Sequence, residues 1–423
     1  MSTRKITIAG VLAASVFAGR VACATNEDAV IDDGPPNTPV PSPDAETAEG
    51  GEDAGDAGPC LDCEWFPDTC TDDVLCPNGP FGPSDGFDPR IYVNVIRGRS
   101  ESDVWVAGSL GSVAHFDGSS WTRSDVGVQE SVNGLWLHDA AEVSLMRLDQ
   151  LATRGVDFPD GGDGGSLSPD GWVRAPAPPR PLVYSDVIRM LRSAWAAPGA
   201  THLWGAVESI CDPAPSAGGG GGPLGGCLLS VPAKRSGLWR LRLAEAGGFE
   251  IREGLANADC SAAICGDMTA VHGAAPDDIW GVGPSGAATH VTGADGDAPT
   301  FRRFNTQTWV GLRGVWAAST TEAWAVGARG TIRRWRGHDY LWEVVDDVPT
   351  TADLNAVWGS SPSDIWVVGD NATVLHYDGT HWSRVKIAGL EGRRPHLTSV
   401  WMSSPGHVWI GGQGVVLLLG GKP

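Results

Sequence analysis

A chain of 423 residues can form two or three compact domains, or one large all-β domain with appendages. Its 58 glycines, 30 prolines and 19 tryptophans argue against a helical protein, because Gly and Pro break helices and aromatic residues favour strands. The net charge of −21 is concentrated, with 17 Asp and Glu and no Lys or Arg between residues 24 and 89, and a chain of that sign repels phosphate backbones, which argues against a nucleic-acid partner.

In chain order, the first feature is an export signal. Arg4 and Lys5 give a charged start, Ile6 to Gly19 an apolar stretch too short to span a bilayer comfortably, and Val21-Ala22-Cys23-Ala24 a small-residue exit. Val-Ala-Cys resembles the lipobox of bacterial lipoproteins, which implies a lipid on Cys23 and membrane attachment through it; Arg20 stands where that motif usually has Leu. Cleavage after Ala24 is the alternative, giving a periplasmic or secreted protein. Ala24 lacks the aspartate linked to inner-membrane retention in enterobacterial lipoproteins, so the expected address is the outer membrane or cell surface.

Cysteine arithmetic favours lipidation. Setting Cys23 aside leaves eight: Cys60, Cys63, Cys70, Cys76, Cys211, Cys227, Cys260 and Cys265, an even number suited to disulfides in an oxidising compartment. Residues 24–58, acidic and rich in Pro, Ala and Gly, have little to bury and read as a disordered tether. In the Cys-rich segment 59–89 the spacing C-x2-C-x6-C-x5-C is conceivable for zinc. Export, acidity and the lack of a second C-x2-C favour two disulfides. Cys211 with Cys227 and Cys260 with Cys265 are the nearest further pairs. Neither a metal nor a cofactor is expected.

From about residue 90 to the end, one pattern recurs: "SESDVWVAGSLGSVAHFDGSSW", "APDDIWGVGPSGAATHV", "STTEAWAVGARGTIRRW", "WGSSPSDIWVVGDNATVLHYDGTHW" and "SPGHVWIGGQGVVLLL". The anchors are Trp105, Trp280, Trp324, Trp366 and Trp409, with degenerate copies at Ser144 and Trp204; the last four are 44, 42 and 43 residues apart. A second residue recurs eight or nine positions upstream: Arg97, Trp136, Trp195, His272, Trp316, Trp358 and Trp401. Insertions such as "DFPDGGDGGSLSPDG" and "CDPAPSAGGGGGPLGGC" explain the wider spacing around Trp204.

Each copy reads as four short strands, for instance "LNAVW", "DIWVVG", "TVLHYD" and "HWSRVKI", with Ser-Pro-Ser-Asp and Asp-Gly as turns. Seven such units predict an all-β fold, a seven-bladed β-propeller over residues 90–423. The two tryptophan series are expected in the wedges between blades, as core and not as a sugar-stacking platform. The last copy lacks a fourth strand, so the ring is expected to close with one from upstream, near Trp65.

These repeats resemble the tryptophan-rich propeller repeats of predicted myxobacterial lipoproteins, often labelled BNR-like, over about residues 90–423. The resemblance implies the fold. The Asp-box of sialidase BNR repeats, Ser-x-Asp-x-Gly-x-x-Trp, is not matched, since Gly118 and Gly379 directly follow Asp117 and Asp378, and the glycosidase implication is not carried over.

Two further series carry charge. His115, His290, Arg334 and His376 share one place on the third strand, a candidate ring for an anion or metal, although Leu418 breaks it. The plain alternative is that each bonds a turn of its own blade. Asp103, Glu142, Asp278, Glu322 and Asp364 precede the anchors by two residues. Their places on different blades suit turn capping better than the paired carboxylates of a glycosidase. "DGGDGGS" at 160–166 lacks the order of a calcium loop, and "AGGGGGPLGG" lacks the lysine of a phosphate cradle. No catalytic nucleophile with a visible base appears. The expected function is a tethered recognition or scaffolding module for a protein or glycan of the envelope or medium. A glycan-acting envelope hydrolase or lyase and a purely structural envelope protein are the alternatives.

Overall fold

A computed structural model describes residues 62–81, 88–156, 158, 168–179, 188–210, 236–244, 248–254 and 266–421. Cys23, the 24–58 segment, Cys60, the 160–166 loop, and Cys211, Cys227, Cys260 and Cys265 lie outside these residues. The described strands form seven four-stranded antiparallel sheets, a seven-bladed β-propeller. Blades 1 to 6 span residues 93–125, 134–174, 188–253, 270–303, 312–344 and 354–384, and blade 7 spans 397–419 plus one upstream strand.

Blade 6 shows why the sequence folds this way. Its strands are Leu354–Ser361, Asp364–Gly369, Val374–Tyr377 and Trp382–Arg384. The second reads "DIWVVG" without polar alternation, and all but its first residue are buried, because a neighbouring blade covers each face of the sheet. The outer strand, with its polar "WSR", has no buried residue. The recurring glycine before the third strand closes a tight hairpin whose two central residues have positive φ: Leu110-Gly111, Ser285-Gly286, Arg329-Gly330 and, in blade 6, Asn371-Ala372. Such turns match the right-handed strand twist and favour glycine. Ala372 accepts the same conformation at φ 52°.

Asp-Gly shapes the hairpin between third and fourth strands. Asp117 Oδ1 accepts the backbone N–H groups of Ser119 and Ser120, both at 2.9 Å, and Asp378 does the same for Thr380 and His381 at 2.8 Å. Gly118 is held at φ 96°, where a Cβ would stand 2.7 Å from Ser102 Cβ, so no larger residue fits. The motif short of an Asp-box is thus a turn that rests on the neighbouring turn of its own blade.

The first strand of every blade lies innermost. Asn94, Ser193, His272, Arg313, Asn355 and Ser399, with Asn133 just ahead of blade 2, line one axial channel. Polar side chains on these strands tie each blade to the next: Asn94 Nδ2 donates to Val132 O at 3.1 Å, Asn355 Nδ2 to Leu397 O at 2.9 Å, and Ser399 Oγ accepts Ile96 N–H at 3.0 Å.

The missing strand of blade 7 is Leu75–Pro77, which pairs antiparallel with Val415–Leu419 in the register Leu75 to Leu419, Cys76 to Leu418, Pro77 to Leu417. The ring therefore closes with a strand from upstream of the first repeat. Trp65, near which that strand was expected, lies beside it and accepts Ile387 N–H through its carbonyl at 2.9 Å. Asp62 pairs with Arg394 at 3.2 Å, and a disulfide joins Cys76, the middle residue of the strand, to Cys70. Cys63 is also disulfide-bonded.

Leu75 is fully buried, and burial of one leucine alone contributes about 1.5–3 kcal/mol. A chain beginning at residue 90 should therefore melt several degrees below one beginning at residue 24, in a thermal denaturation followed by circular dichroism. Equal melting temperatures would show that the closing strand contributes nothing to the ring.

Candidate functional site

The two charged series meet. In blade 1, Asp103 Oδ1 accepts both the Trp105 indole N–H and His115 Nε2, each at 2.9 Å, and the imidazole stacks on the indole with ring centres 4.3 Å apart. Blade 6 repeats this with Asp364, Trp366 at 3.0 Å and His376 at 2.8 Å. Blade 5 does so with Glu322, Trp324 at 3.0 Å and the Arg334 guanidinium at 3.0 Å, which lies over the indole. In blade 4, His290 pairs with Asp278 at 3.0 Å and stacks on Trp280 at 4.4 Å. Each member of the candidate ring thus bonds a carboxylate of its own blade. No hydrogen bond or ring contact joins one member to another among the described residues.

Two variants depart from the pattern. Glu142, in blade 2, binds Arg154 at 3.0 Å and also Arg99 of blade 1 at 3.1 Å, so Arg99, which holds Asp103 as well, links the two blades. In blade 3 the cation opposite Trp204 is Arg240, at 5.6 Å over the indole. The insertion between the strands displaces Arg240 from the repeat spacing, and only the strand register reveals it. Among the described residues, no group of three or more His, Cys, Asp and Glu side chains is placed to hold a metal ion.

The anchor tryptophans fill the wedges between blades as expected: Trp105 meets Trp172 of blade 2, Trp280 meets Trp335 and Trp342 of blade 5, Trp324 meets Trp382 of blade 6, and Trp409 meets Trp121 of blade 1. The upstream series is placed differently. It sits on the innermost strands, near the axis, at the face that carries the turns between first and second strands. Trp401 lies against Gly98 of blade 1, Trp195 against Gly273 of blade 4 and Trp316 against Gly359 of blade 6, at distances that leave no room for a Cβ. There Trp136, Trp195, Trp358 and Trp401 wall a cavity of about 390 Å³ at the channel mouth, together with Arg97, Leu135, Leu137, Ala197 and Pro198. These indoles are therefore not core alone.

Two of the seven upstream positions are not tryptophan, and there the symmetry breaks. Trp358 of blade 6 meets the edge of His272 in blade 4, ring centres 4.7 Å apart, and the Arg97 guanidinium of blade 1 lies 5.0 Å over it. Blades 1 and 4 each stand two places from blade 6, so the indole reaches across the axis. Arg97 reaches across too, donating to Ala194 O of blade 3 at 3.5 Å and to Ile96 O at 2.8 Å. Both residues line the mouth cavity and the channel beneath it, and so form the boundary between them.

The charges here are uneven. Three arginines line the channel. Arg192 is paired with Glu208 at 2.7 Å and Arg313 with Asp353 at 2.6 Å, whereas Arg97 has no carboxylate partner among the described residues. Burial pulls the Arg97 pKa down to about 10, which leaves it a cation at neutral pH. His272 accepts the Ala317 N–H at Nδ1, 3.2 Å away. Burial, reinforced by the Arg97 charge, holds His272 well below the ordinary histidine range, so it is neutral.

No family model matches the chain, and no curated protein matches it. Solved structures match in fold. One described as YCF48 bound to D1 peptide superposes with a TM-score of 0.52 at 13% identity, covering 79% of this chain and 95% of the other. YCF48 from Cyanidioschyzon merolae gives 0.52 at 13%, covering 78% and 95%. An inactive virginiamycin B lyase from Staphylococcus aureus with quinupristin gives 0.52 at 10%, covering 78% and 94%. At these identities the likeness establishes the propeller fold alone.

Two expected outcomes follow from these contacts. Asp364→Ala removes the shared acceptor of Trp366 and His376 and should lower stability by about 1–3 kcal/mol in urea denaturation, the cost of buried donors left unpaired. His272 gains protons near pH 6.5 in the unfolded chain and not in the folded one. Stability contributed by the neutral ring is present above that pH and falls as pH drops below it, with a limiting slope of about 1.4 kcal/mol per pH unit. His272→Asn, which keeps an acceptor for Ala317, should flatten the fall in melting temperature between pH 7 and 5. An unchanged profile would mean that His272 is not the titrating group.

Proposed function

We propose that this chain is a recognition module that binds a protein partner in the tryptophan-walled mouth of its channel. The carrying observation is the cavity itself: it is preformed by four indoles on the inner strands of blades 2, 3, 6 and 7, three of them buried, and so binds without the entropy cost of ordering loops. Apolar walls with few polar groups suit a protein segment. The D1 peptide bound by YCF48, a structure of the same fold, is consistent with this reading. The amino-terminal sequence supports an exported protein tethered through a lipid on Cys23, with residues 24–58 as the tether, at the outer membrane or cell surface.

The glycan-acting hydrolase or lyase remains the second reading, favoured by the likeness of fold to a lyase. Against it, the repeated carboxylates on this face are engaged by their own blades, and Asp139 is the one carboxylate among the residues lining the mouth.

Capture from the producer's own envelope and medium on immobilised protein starting at residue 24, read by mass spectrometry, tests the reading. Pro198→Trp places an indole in the mouth from an exposed position. Retention of one dominant protein by wild type, reduced at least tenfold in Pro198→Trp with the melting temperature unchanged, supports it. Equal retention by both proteins places the partner elsewhere. A glycan recovered shortened moves the assignment to the enzyme. In the producing cell, Cys23→Ala should shift the protein from the membrane to the soluble fraction.

A further inference from the structure

We propose that the channel mouth binds a peptide carboxylate held beside an apolar side chain, with the Arg97 guanidinium as its counter-ion. This rests on the mouth being the recognition site and names what it recognises.

Arg97 has no carboxylate partner among the described residues. A guanidinium presents five N–H donors. Two of those on Arg97 go to backbone carbonyls, Ile96 O and Ala194 O, and its face lies on Trp358, which leaves three donors without an acceptor among the described residues. Every other arginine that lines the channel or its mouth has a carboxylate: Arg99 holds Asp103 and Glu142, Arg192 holds Glu208, Arg313 holds Asp353. In a chain with 51 acidic and 30 basic residues, a half-buried cation with no carboxylate partner among the described residues is the exception. A half-buried charge without a counter-ion is costly, and an incoming anion relieves that cost. A planar guanidinium with donors free matches a carboxylate in shape.

The rest of the cavity selects what carries the anion. Around Arg97 stand the indoles of Trp136, Trp195 and Trp401 and the side chains of Leu135 and Leu137, and the only other charged groups are Arg99, already paired, and Asp139, whose carboxylate is 86% exposed beside His138. A sugar ring brings many hydroxyls, each needing a hydrogen-bond partner when buried, and these walls offer few. An aliphatic or aromatic side chain needs none. A volume of about 390 Å³ lies at the small end of the usual range for ligand pockets, roughly 300–1,000 Å³, and suits one or two residues of a peptide. Either a free carboxyl terminus or a Glu side chain next to an apolar residue supplies the required pair.

Three probes separate these sources: acetyl-Gly-Gly-Leu as the free acid, the same peptide as its amide, and acetyl-Gly-Glu-Leu amide. Titration into the wild-type protein is followed by ligand-observed NMR, with methyl glucuronide as a fourth probe. Expected is at least tenfold tighter binding of one or both carboxylate peptides than of the neutral amide. That preference should disappear in Arg97→Gln and survive in part in Arg97→Lys, with both variants melting within a few degrees of wild type. The carboxylate that gains identifies the source. Equal binding of acid and amide, both lost in Pro198→Trp, overturns the anion and leaves the recognition site standing. Binding of the glucuronide in place of the peptides overturns the peptide and assigns the anion to a glycan. If no probe binds, the proposal fails, while capture by the immobilised protein still decides the recognition reading.

Discussion

Each sheet in this protein has two apolar faces, and nothing but the next blade covers them. The contact is made chiefly by indoles: an anchor tryptophan on the second strand of one blade enters the wedge and meets aromatic rings on the outer strands of its neighbour, as Trp409 does with Phe116 and Trp121. Large rigid rings bury much area at little side-chain entropy cost. Because each sheet is stable only between two others, the ring must close. The short upstream strand Leu75–Pro77 is therefore part of the seventh blade and not of a separate segment. The axial channel follows from the same constraint, as the space that seven first strands leave between them.

An indole in a wedge still has an N–H to satisfy. The carboxylate two residues earlier in the sequence takes it in blades 1, 5 and 6, and a His or Arg on the adjacent strand completes the set. The arrangement fixes the strand register and locks the ring. It also stiffens the face on which the channel mouth opens, since the carboxylates stand at the starts of the second strands, next to the turns that follow the upstream residues. Arg99 extends this stiffening from blade 1 to blade 2.

Chemistry arises where the repeat is broken. Five upstream positions hold tryptophan, and the other two hold Arg97 and His272. The smaller imidazole gives Trp358 a surface to lie against from across the axis, and Arg97 covers its other side. Arg97 brings to this cavity a positive charge that has no carboxylate partner among the described residues.

The sequence by itself determined the blade count, the strand order within each blade and the need for a closing strand. These depend on local spacing: a period near 43 residues, turn residues at fixed offsets and a last copy one strand short. It also held both halves of the carboxylate–cation clusters, as two separate series, because residues twelve apart on adjacent antiparallel strands do not show their pairing without the register. Arg240 was hidden for a related reason, an insertion that shifts its number and not its place. Only the tertiary structure decided that four of the upstream tryptophans wall a cavity, since five different blades supply its walls and no single repeat contains the site. The same holds for Arg97: the lack of a counter-ion among the described residues is a fact about its spatial surroundings, and a sequence lists neighbours along one line only.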